Sequence, residues 1–444
     1  MGRLFGTDGI RGVANTYPIT CELALKTGQA IGIFIKENGY NFAVIGKDTR
    51  ISGDMLESAL AAGLSSTGVD VMLAGIIPTP GVAYLCSKKG VGAGIVISAS
   101  HNPYQDNGIK IFKNGGVKLS DEQENQIEDY ILNAENVPQE NIGKIAVIPD
   151  SLKEYTDFLL AGFPFGKLDK KLKLIVDCSN GAASKIGHLV FNDGLFDAGF
   201  IYNSPDGKNI NDNCGSQHTE KLQELVVKEK ADLGLAFDGD ADRLIAVDEK
   251  GSRITGDQIL AICAKFAKEK GTLKNNVVVS TIMSNIGLTE SLDSLGISHI
   301  KSDVGDRKVL EDMKKSGAVM GGEDSGHMIF LDCHTTGDGM LSALKLLEVI
   351  MTENQPLSNL ASVMTVYPQV LMNVEVDESH PDFMKISSIA DTIEAIEKKL
   401  GKRGRVLVRY SGTQPLLRVM VEGPKKESTK QYCLDVCKSI KNNL

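Results

Sequence analysis

Short runs of β-branched and apolar residues alternate with longer amphipathic stretches through most of the chain. Thr20 is placed to cap a helix that ends near Asn38, and the apolar run FAVIG at 42–46 follows as a strand. After two more helical stretches and the run VDVML, the apolar segment GAGIVIS occupies 92–98. Such βα repetition predicts a parallel sheet covered by helices.

The βα pattern begins again at LKLIVD (172–177) and at NVVVST (276–281), whereas the last part of the chain differs. There a strand-like QVLMNVEV precedes a helix near 382–399, two further strand-like runs and a final helix. The sequence therefore predicts three consecutive α/β domains with mixed, mostly parallel sheets and a smaller C-terminal α+β domain. The predicted domains are 1–150, 151–252, 253–365 and 366–444.

Composition limits the classes of protein that fit. The chain has 444 residues, of which 42% are hydrophobic and 24% are charged, too apolar a mixture for disorder. The net charge of −9 argues against nucleic acid or an anionic membrane as partner, and no apolar run is long enough to span a bilayer. Because the start of the chain lacks a signal peptide and the eight cysteines form no CxxC pair, we expect a cytoplasmic protein with reduced thiols.

Several common catalytic signatures are missing. No GxGxxG follows a strand, no Gly-Lys pair continues into Ser or Thr, and GxSxG and HExxH do not occur. Dinucleotide-binding and P-loop folds therefore lose their main evidence.

The first candidate site is SASHNP, which follows the apolar run at 92–98. Catalytic groups of α/β proteins lie where strands end in loops. Ser100 is thus a candidate nucleophile or phosphoryl carrier, with His101 beside it. Lys110 lies ten residues further and could return to the same site. A simple strand-ending turn is the alternative interpretation.

The second candidate is DGDADR, in which Asp238, Asp240 and Asp242 occupy alternate positions. In a tight turn such side chains can converge on one hard cation that prefers oxygen ligands. An EF-hand is rejected because Arg243 stands where that loop requires glycine, and because the flanking segments look like strands. A solvated acidic turn stays open as the alternative.

Three further polar loops are rich in glycine. GGEDSGH suits the recognition of sugar hydroxyls, although a polar hairpin explains it equally well. RYSGTQPLLR offers two guanidinium groups and glycine amides to a phosphate, with a surface hairpin as the alternative. The opening FGTDGIRG carries one arginine. The candidate residues are Arg11, Glu323, Ser325, His327, Arg409, Ser411, Gly412, Thr413 and Arg418.

Taken together, these segments resemble the α-D-phosphohexomutase family, and the resemblance covers the whole chain in order. SASHNP looks like the family's phosphoserine loop, DGDADR like its metal loop, GEDSGH like its sugar loop and RYSGTQPLLR like its phosphate loop. FGTDGIRG is most similar to the bacterial members that act on amino sugars. The resemblance implies four domains around a central cleft and the interconversion of glucosamine 6-phosphate and glucosamine 1-phosphate.

The resemblance also implies roles for individual residues. Ser100 would be phosphorylated and, with Asp238, Asp240 and Asp242, would bind Mg²⁺. His101, Lys110 and Arg11 would serve the phosphoryl transfer. The expected partners are small sugar phosphates and at most a second copy of the chain in a homodimer, with neither nucleic acid nor membrane. The implied substrate contacts are Arg243, Glu323, Ser325, His327, Arg409, Ser411, Gly412, Thr413 and Arg418.

Tyr410, Gln414 and Asp324 depart from the residues usual in the family, but no expected ligand is lost. Three alternatives stay open at this point. The chain could be a phosphomannomutase or phosphoglucomutase with the same chemistry, a non-catalytic divalent-cation-binding protein, or an inactive relative retained as a scaffold.

Overall fold

The computed structural model describes residues 4–6, 8–133, 141–165, 171–191, 194, 196–377, 381–411 and 416–444. Two compact units divide the chain. The first comprises Met1–Ile282 and Ile300–Ala361, and the second comprises Met283–His299 and Ser362–Leu444. Among the described residues, no helix has the length and apolarity that crossing a bilayer would require.

The first sheet is mixed and holds the strand order β1-β2-β6-β5-β3-β4-β8, with β7 beside β6. Strands β5, β3, β4 and β8 are parallel, whereas β6 and β2 run antiparallel on one flank. The strands are β1 (Phe5–Gly6), β2 (Gly9–Val13), β3 (Phe42–Lys47), β4 (Asp70–Ile76), β5 (Ala93–Ile97), β6 (Asp106–Lys113), β7 (Val117–Lys118) and β8 (Ile145–Val147). The helices of this part are α1 (Cys21–Glu37), α2 (Gly53–Ser66), α3 (Thr79–Lys89), α4 (Asp121–Asn133) and α5 (Ser151–Ala161).

Two further mixed sheets complete the first unit, with orders β10-β9-β11-β12-β13 and β15-β14-β16-β17. The strands are β9 (Leu172–Asp177), β10 (Phe196–Ile201), β11 (Leu233–Phe237), β12 (Leu244–Asp248), β13 (Arg253–Ile254), β14 (Val277–Thr281), β15 (Ser298–Ser302), β16 (Met320–Gly322) and β17 (Met328–Phe330). The helices are α6 (Ala183–Phe191), α7 (Glu220–Glu229), α8 (Gly256–Glu269), α10 (Asp306–Ser316), α11 (Gly339–Glu353) and α12 (Leu357–Ala361).

The second unit contains an antiparallel sheet in the order β18-β20-β19. Apolar residues of the sheet and of the last two helices form its core, including Val419, Ile389 and Val436. Its elements are α9 (Ile286–Ser294), β18 (Gln369–Glu375), α13 (Ser387–Leu400), β19 (Arg405–Tyr410), β20 (Leu416–Glu422) and α14 (Lys426–Asn443).

The α/β and α+β organisation predicted from the sequence is confirmed. The Thr20 side chain accepts a hydrogen bond from Leu23 N at 3.2 Å and caps α1 as expected. Strands β11 and β12 flank the acidic loop as an antiparallel pair, which confirms that the loop is no EF-hand. The last predicted helix but one was placed too early: α13 begins at Ser387, because Phe383–Lys385 forms a separate 3₁₀ turn capped by Asp382.

Glycines allow α1 and α2 to pack backbone against backbone. A Cβ atom on Gly28 would lie 2.4 Å from Leu60 O, and one on Gly63 would lie 2.2 Å from Leu25 O. Real Cβ atoms do not approach carbonyl oxygens this closely, so both positions require glycine. The close pairing buries one face of each helix in the core of the first sheet.

His334, which lies after β17, gives the fold a predicted pH dependence. The side chain is buried with its ring 5.4 Å from that of Phe158, and burial lowers its pKa to about 4. As the pH falls from about 6.5 to about 4, the unfolded histidine takes up a proton and the folded one does not, so stability falls in this window. His334→Gln should remove this loss, about 3 kcal/mol of unfolding free energy between pH 7 and pH 4.

Urea unfolding of both proteins at the two pH values measures this difference. His218→Gln is the matched control because His218 is exposed. Parallel stability curves for wild type and His334→Gln would contradict the prediction.

Candidate active site

Ser100 lies in the loop that follows β5, at the carboxyl edge of the first sheet. Its side chain is 1% exposed, and its φ of 52° is in the left-handed region. Ser100 Oγ donates a hydrogen bond to Asp238 Oδ2 at 2.6 Å and lies 3.3 Å from His101 Nδ1. The predicted nucleophile therefore contacts the predicted metal loop directly.

The three aspartates of the metal loop converge, as their alternate spacing predicts. One carboxylate oxygen from each of Asp238, Asp240 and Asp242 lies within 4.8 Å of the others, and all three side chains are buried. Ala241 adopts a φ of 54° at the tip of the turn between them. Asp240 Oδ1 and Asp242 Oδ1 are buried without a hydrogen-bond donor. Buried acceptors of this kind fit a hard cation, so the triad could hold a metal ion.

Lys110 supplies positive charge to the same place from β6. Its ammonium group lies 2.8 Å from Asp240 Oδ2, 3.4 Å from Asp242 Oδ2 and 3.2 Å from Asp8 Oδ2. Burial alone would lower the pKa of Lys110, but the neighbouring carboxylates, with Asp240 first, raise it above its ordinary value. Lys110 thus keeps its proton, which favours a role as charge partner or proton donor over that of a base.

The charges in the site also shift the pKa of other groups. Burial, reinforced by the charges of Asp242 and Asp240, raises the pKa of Asp238 well above its ordinary value. Burial lowers the pKa of His101 to about 4, and the charges of Arg243 and Arg11 act in the same direction. The imidazole of His101 is consequently neutral at pH 7.

The predicted sugar loop adjoins the metal loop. Leu244 N, just after the metal loop, donates to Gly326 O at 3.0 Å. His327 Nε2 lies 4.0 Å from Asp242 Oδ2, and Arg243 Nε lies 3.7 Å from Asp242 Oδ1. Three domains of the first unit therefore contribute to one polar site.

Within the sugar loop, the side chain of Glu323 is held by its neighbours. Glu323 Oε1 accepts a hydrogen bond from Gly305 N at 3.2 Å, and Glu323 Oε2 accepts one from Ser325 Oγ at 3.3 Å. Each carboxylate oxygen can accept more than one donor, so both oxygens remain available to a ligand.

The residues of the predicted phosphate loop belong to the second unit. Arg409 and Arg418 face each other on neighbouring strands, and Arg418 Nη2 lies 3.5 Å from Ser411 Oγ. Burial lowers the pKa of Arg409, and the like charge of Arg418 adds to the effect. Two buried like charges side by side are typical of an anion site. Gly412, Thr413 and Gln414 lie outside the described residues.

Family models of the phosphoglucomutase/phosphomannomutase type match nearly the whole chain. The α/β/α domain I model matches residues 2–138, domain II matches 153–251, domain III matches 255–367 and the C-terminal domain matches 371–439. The chain belongs to the phosphoglucomutase/phosphomannomutase family. Its relatives in this family include phosphoglucosamine mutases of known sequence.

The phosphoglucosamine mutase of Desulforapulum autotrophicum is 59% identical over 460 residues, covering 99% of both chains. That of Syntrophus aciditrophicus is 51% identical over the full length of both. A phosphoglucomutase/phosphomannomutase family protein from Burkholderia thailandensis is similar in structure, with a TM-score of 0.82 and 25% identity over 98% of this chain and 96% of its own. The fold of Aspergillus fumigatus N-acetylphosphoglucosamine mutase is also similar, with a TM-score of 0.71 and 17% identity over 99% and 96%.

This family member contains a chain of alternating charges that the sequence analysis missed. Arg11 pairs with Asp8, and Asp8 Oδ1 lies 2.5 Å from Lys118 Nζ. Lys118 also pairs with Asp306, whose Oδ2 lies 3.5 Å from His327 Nε2. Burial would raise the pKa of Asp8, but Lys110, Lys118 and Arg11 hold it well below its ordinary value. The chain of charges joins domain I to the sugar loop.

Asp8 gave one usable signal, since it stands in the glycine-rich opening segment beside Arg11. Lys118 and Asp306 gave none, because each lies in a segment of ordinary charged composition. Their proximity depends on the packing of domain III against domain I.

Proposed function

We propose that the chain interconverts glucosamine 6-phosphate and glucosamine 1-phosphate through a phosphoryl group carried on Ser100 Oγ. The observation that carries the proposal is the contact between Ser100 Oγ and a buried aspartate triad with two unpaired carboxylate oxygens. The full-length relatives named phosphoglucosamine mutase support the amino-sugar substrate. An acidic pocket without catalysis would not need a serine hydroxyl aimed at it.

In the proposed reaction, the bond between phosphorus and Ser100 Oγ breaks as a bond to the sugar O1 forms. The resulting 1,6-bisphosphate turns around, and its 6-phosphoryl group returns to Ser100. Mg²⁺ on Asp238, Asp240 and Asp242 would neutralise charge on the transferring group and on the departing serine oxygen. Lys110 and Arg11 add positive charge from β6 and β2.

The remaining residues would bind the sugar and its second phosphate. Glu323 and Ser325 are proposed to contact sugar hydroxyl or ammonium groups, with His327 and Arg243 beside them. Arg409, Ser411, Gly412, Thr413 and Arg418 are proposed to hold the phosphate that does not react. The described cysteines are all free, which supports a cytoplasmic enzyme.

Steady-state kinetics with three sugar phosphates tests the substrate. We expect kcat/KM for glucosamine 6-phosphate to exceed the values for glucose and mannose 6-phosphates by about tenfold to a hundredfold, because one charge-assisted contact of the 2-ammonium with Glu323 is worth about 1.5 to 3 kcal/mol. Glu323→Gln should narrow the ratio. Equal or reversed ratios in the wild type would assign the chain to hexose phosphates, and no turnover with any of them would refute the mutase activity.

A further inference from the structure

The backbone around Ser100 is held by side chains outside the site described so far. The carbonyl oxygen of Ser100 accepts hydrogen bonds from Arg50 Nη2 and Asn211 Nδ2, both at 2.9 Å. The carbonyl oxygen of Asn102 accepts from the same two groups at 2.8 and 3.0 Å. Two carbonyls of one loop thus share two donors, one from domain I and one from domain II.

Arg50 is fully committed to this loop. Its guanidinium group is buried, and Nη1 donates to Asp106 O at 2.9 Å and to Pro103 O. Arg50 Nε pairs with Asp48 Oδ2 at 2.8 Å, so its charge is compensated.

The amide of Ser100 is fixed through the same carboxylate. Ser98 Oγ donates to Asp48 Oδ2 at 2.6 Å and accepts from Ser100 N at 2.9 Å. A closed ring of hydrogen bonds therefore joins the amide and the carbonyl of Ser100 through Ser98, Asp48 and Arg50. Both backbone groups of the nucleophile have fixed partners.

This fixation matters because Ser100 is in a costly conformation. A left-handed φ is rare for residues other than glycine and persists only where the surroundings impose it. A Cβ atom on Gly239 would lie 2.5 Å from Ser100 O and 2.9 Å from Asn211 Nδ2. The metal loop therefore packs directly against the same carbonyl, and a relaxed Ser100 backbone would move Oγ away from Asp238.

We propose that Arg50 and Asn211 are positioning residues that hold Ser100 in its left-handed conformation, so that Oγ faces the aspartate triad. This inference rests on the proposed function. Because Asn211 and the metal loop belong to the same domain, the amide of Asn211 ties the nucleophile to the domain that carries the metal ligands. Neither residue touches the reacting atoms.

Asn211→Gly is the decisive variant. It removes the amide donor, and glycine tolerates the φ of 59° at this position. Asn213→Gly is the matched control, since Asn213 has a φ of 51° in the same loop and is exposed, with its amide donating to Asp212 Oδ1. The measurements are kcat and KM for glucosamine 6-phosphate, the melting temperature, and hydrogen–deuterium exchange of the peptide that contains Ser100.

For Asn211→Gly we expect kcat to fall by about tenfold or more while KM stays within about twofold, at an unchanged melting temperature. Exchange in the Ser100 peptide should become faster, and Asn213→Gly should behave as wild type in every measurement. A loss of kcat without faster exchange, or faster exchange without a loss of kcat, would overturn the proposal. So would an equal loss in Asn213→Gly.

The exchange measurement needs no substrate, so it separates this proposal from the proposed function. A wild-type protein without turnover would refute the mutase activity and the catalytic consequence of the positioning. Unchanged exchange in Asn211→Gly would then also refute the positioning itself, whereas faster exchange would support it.

Discussion

Ser100→Ala is expected to lower kcat for glucosamine phosphates by on the order of a thousandfold or more, because it removes the atom proposed to carry the phosphoryl group. The fold should survive, since alanine meets the same left-handed backbone and only the hydrogen bond to Asp238 is lost. Steady-state kinetics and thermal melting measure the two effects. Peptide mapping by mass spectrometry should find phosphate on Ser100 of the wild type.

Ser151→Ala is a suitable control for this experiment. Ser151 is buried and donates one hydrogen bond, to Ala74 O at 2.7 Å, but it lies outside the site. This variant should keep the kcat of the wild type. Retention of more than about a tenth of wild-type kcat by Ser100→Ala, a barrier change of only ~1.4 kcal/mol, would contradict the role of Ser100.

Removal of divalent cations with a chelator is expected to abolish turnover, and added Mg²⁺ is expected to restore it. The oxygen-only donor set of the aspartate triad favours a hard cation. Mg²⁺ at a hundred times its dissociation constant should also stabilise the wild-type fold by about 2.7 kcal/mol. Chemical denaturation with and without Mg²⁺ measures this effect independently of activity.

Asp242→Asn should lose most of the stabilisation by Mg²⁺, because one of the unpaired carboxylate oxygens is replaced. Asp248→Asn is the matched control. Asp248 is also buried, but its Oδ1 already accepts backbone hydrogen bonds from Lys250 and Ser252 at 3.0 and 2.7 Å. Full activity of the metal-stripped wild type, or an equal loss of Mg²⁺ stabilisation in both variants, would refute the metal site.

The convergence of the central groups could be predicted because it depends on local rules. Ser100 follows a strand that is buried along its length, and the aspartates alternate within one turn, so strand ends and turn geometry place them. Asp48 could have been found in the same way. It follows β3, which is parallel to β5, and the carboxyl ends of two neighbouring parallel strands meet at one edge.

Other parts of the site could not be predicted from local patterns. Asn211 reaches Ser100 across more than a hundred residues from a loop whose residues have polar, turn-like character. Strand β6 begins with Asp106 and Asn107, which are uncommon in strands, although Asn107 is fully buried and donates to Ser52 Oγ. Such positions are fixed by tertiary contacts that leave no periodic signal in the sequence.

The alternating charges between Arg11 and His327 constrain how the sequence can vary. Lys118 stands between Asp8 and Asp306, so its loss alone would leave two buried carboxylates facing each other without compensation. A change at Asp306 that removes its charge would relieve part of this repulsion, and the two changes together would cost less than the sum of each alone. These three positions are therefore expected to be epistatic and to covary among descendants, although they lie in separate domains and far apart along the chain.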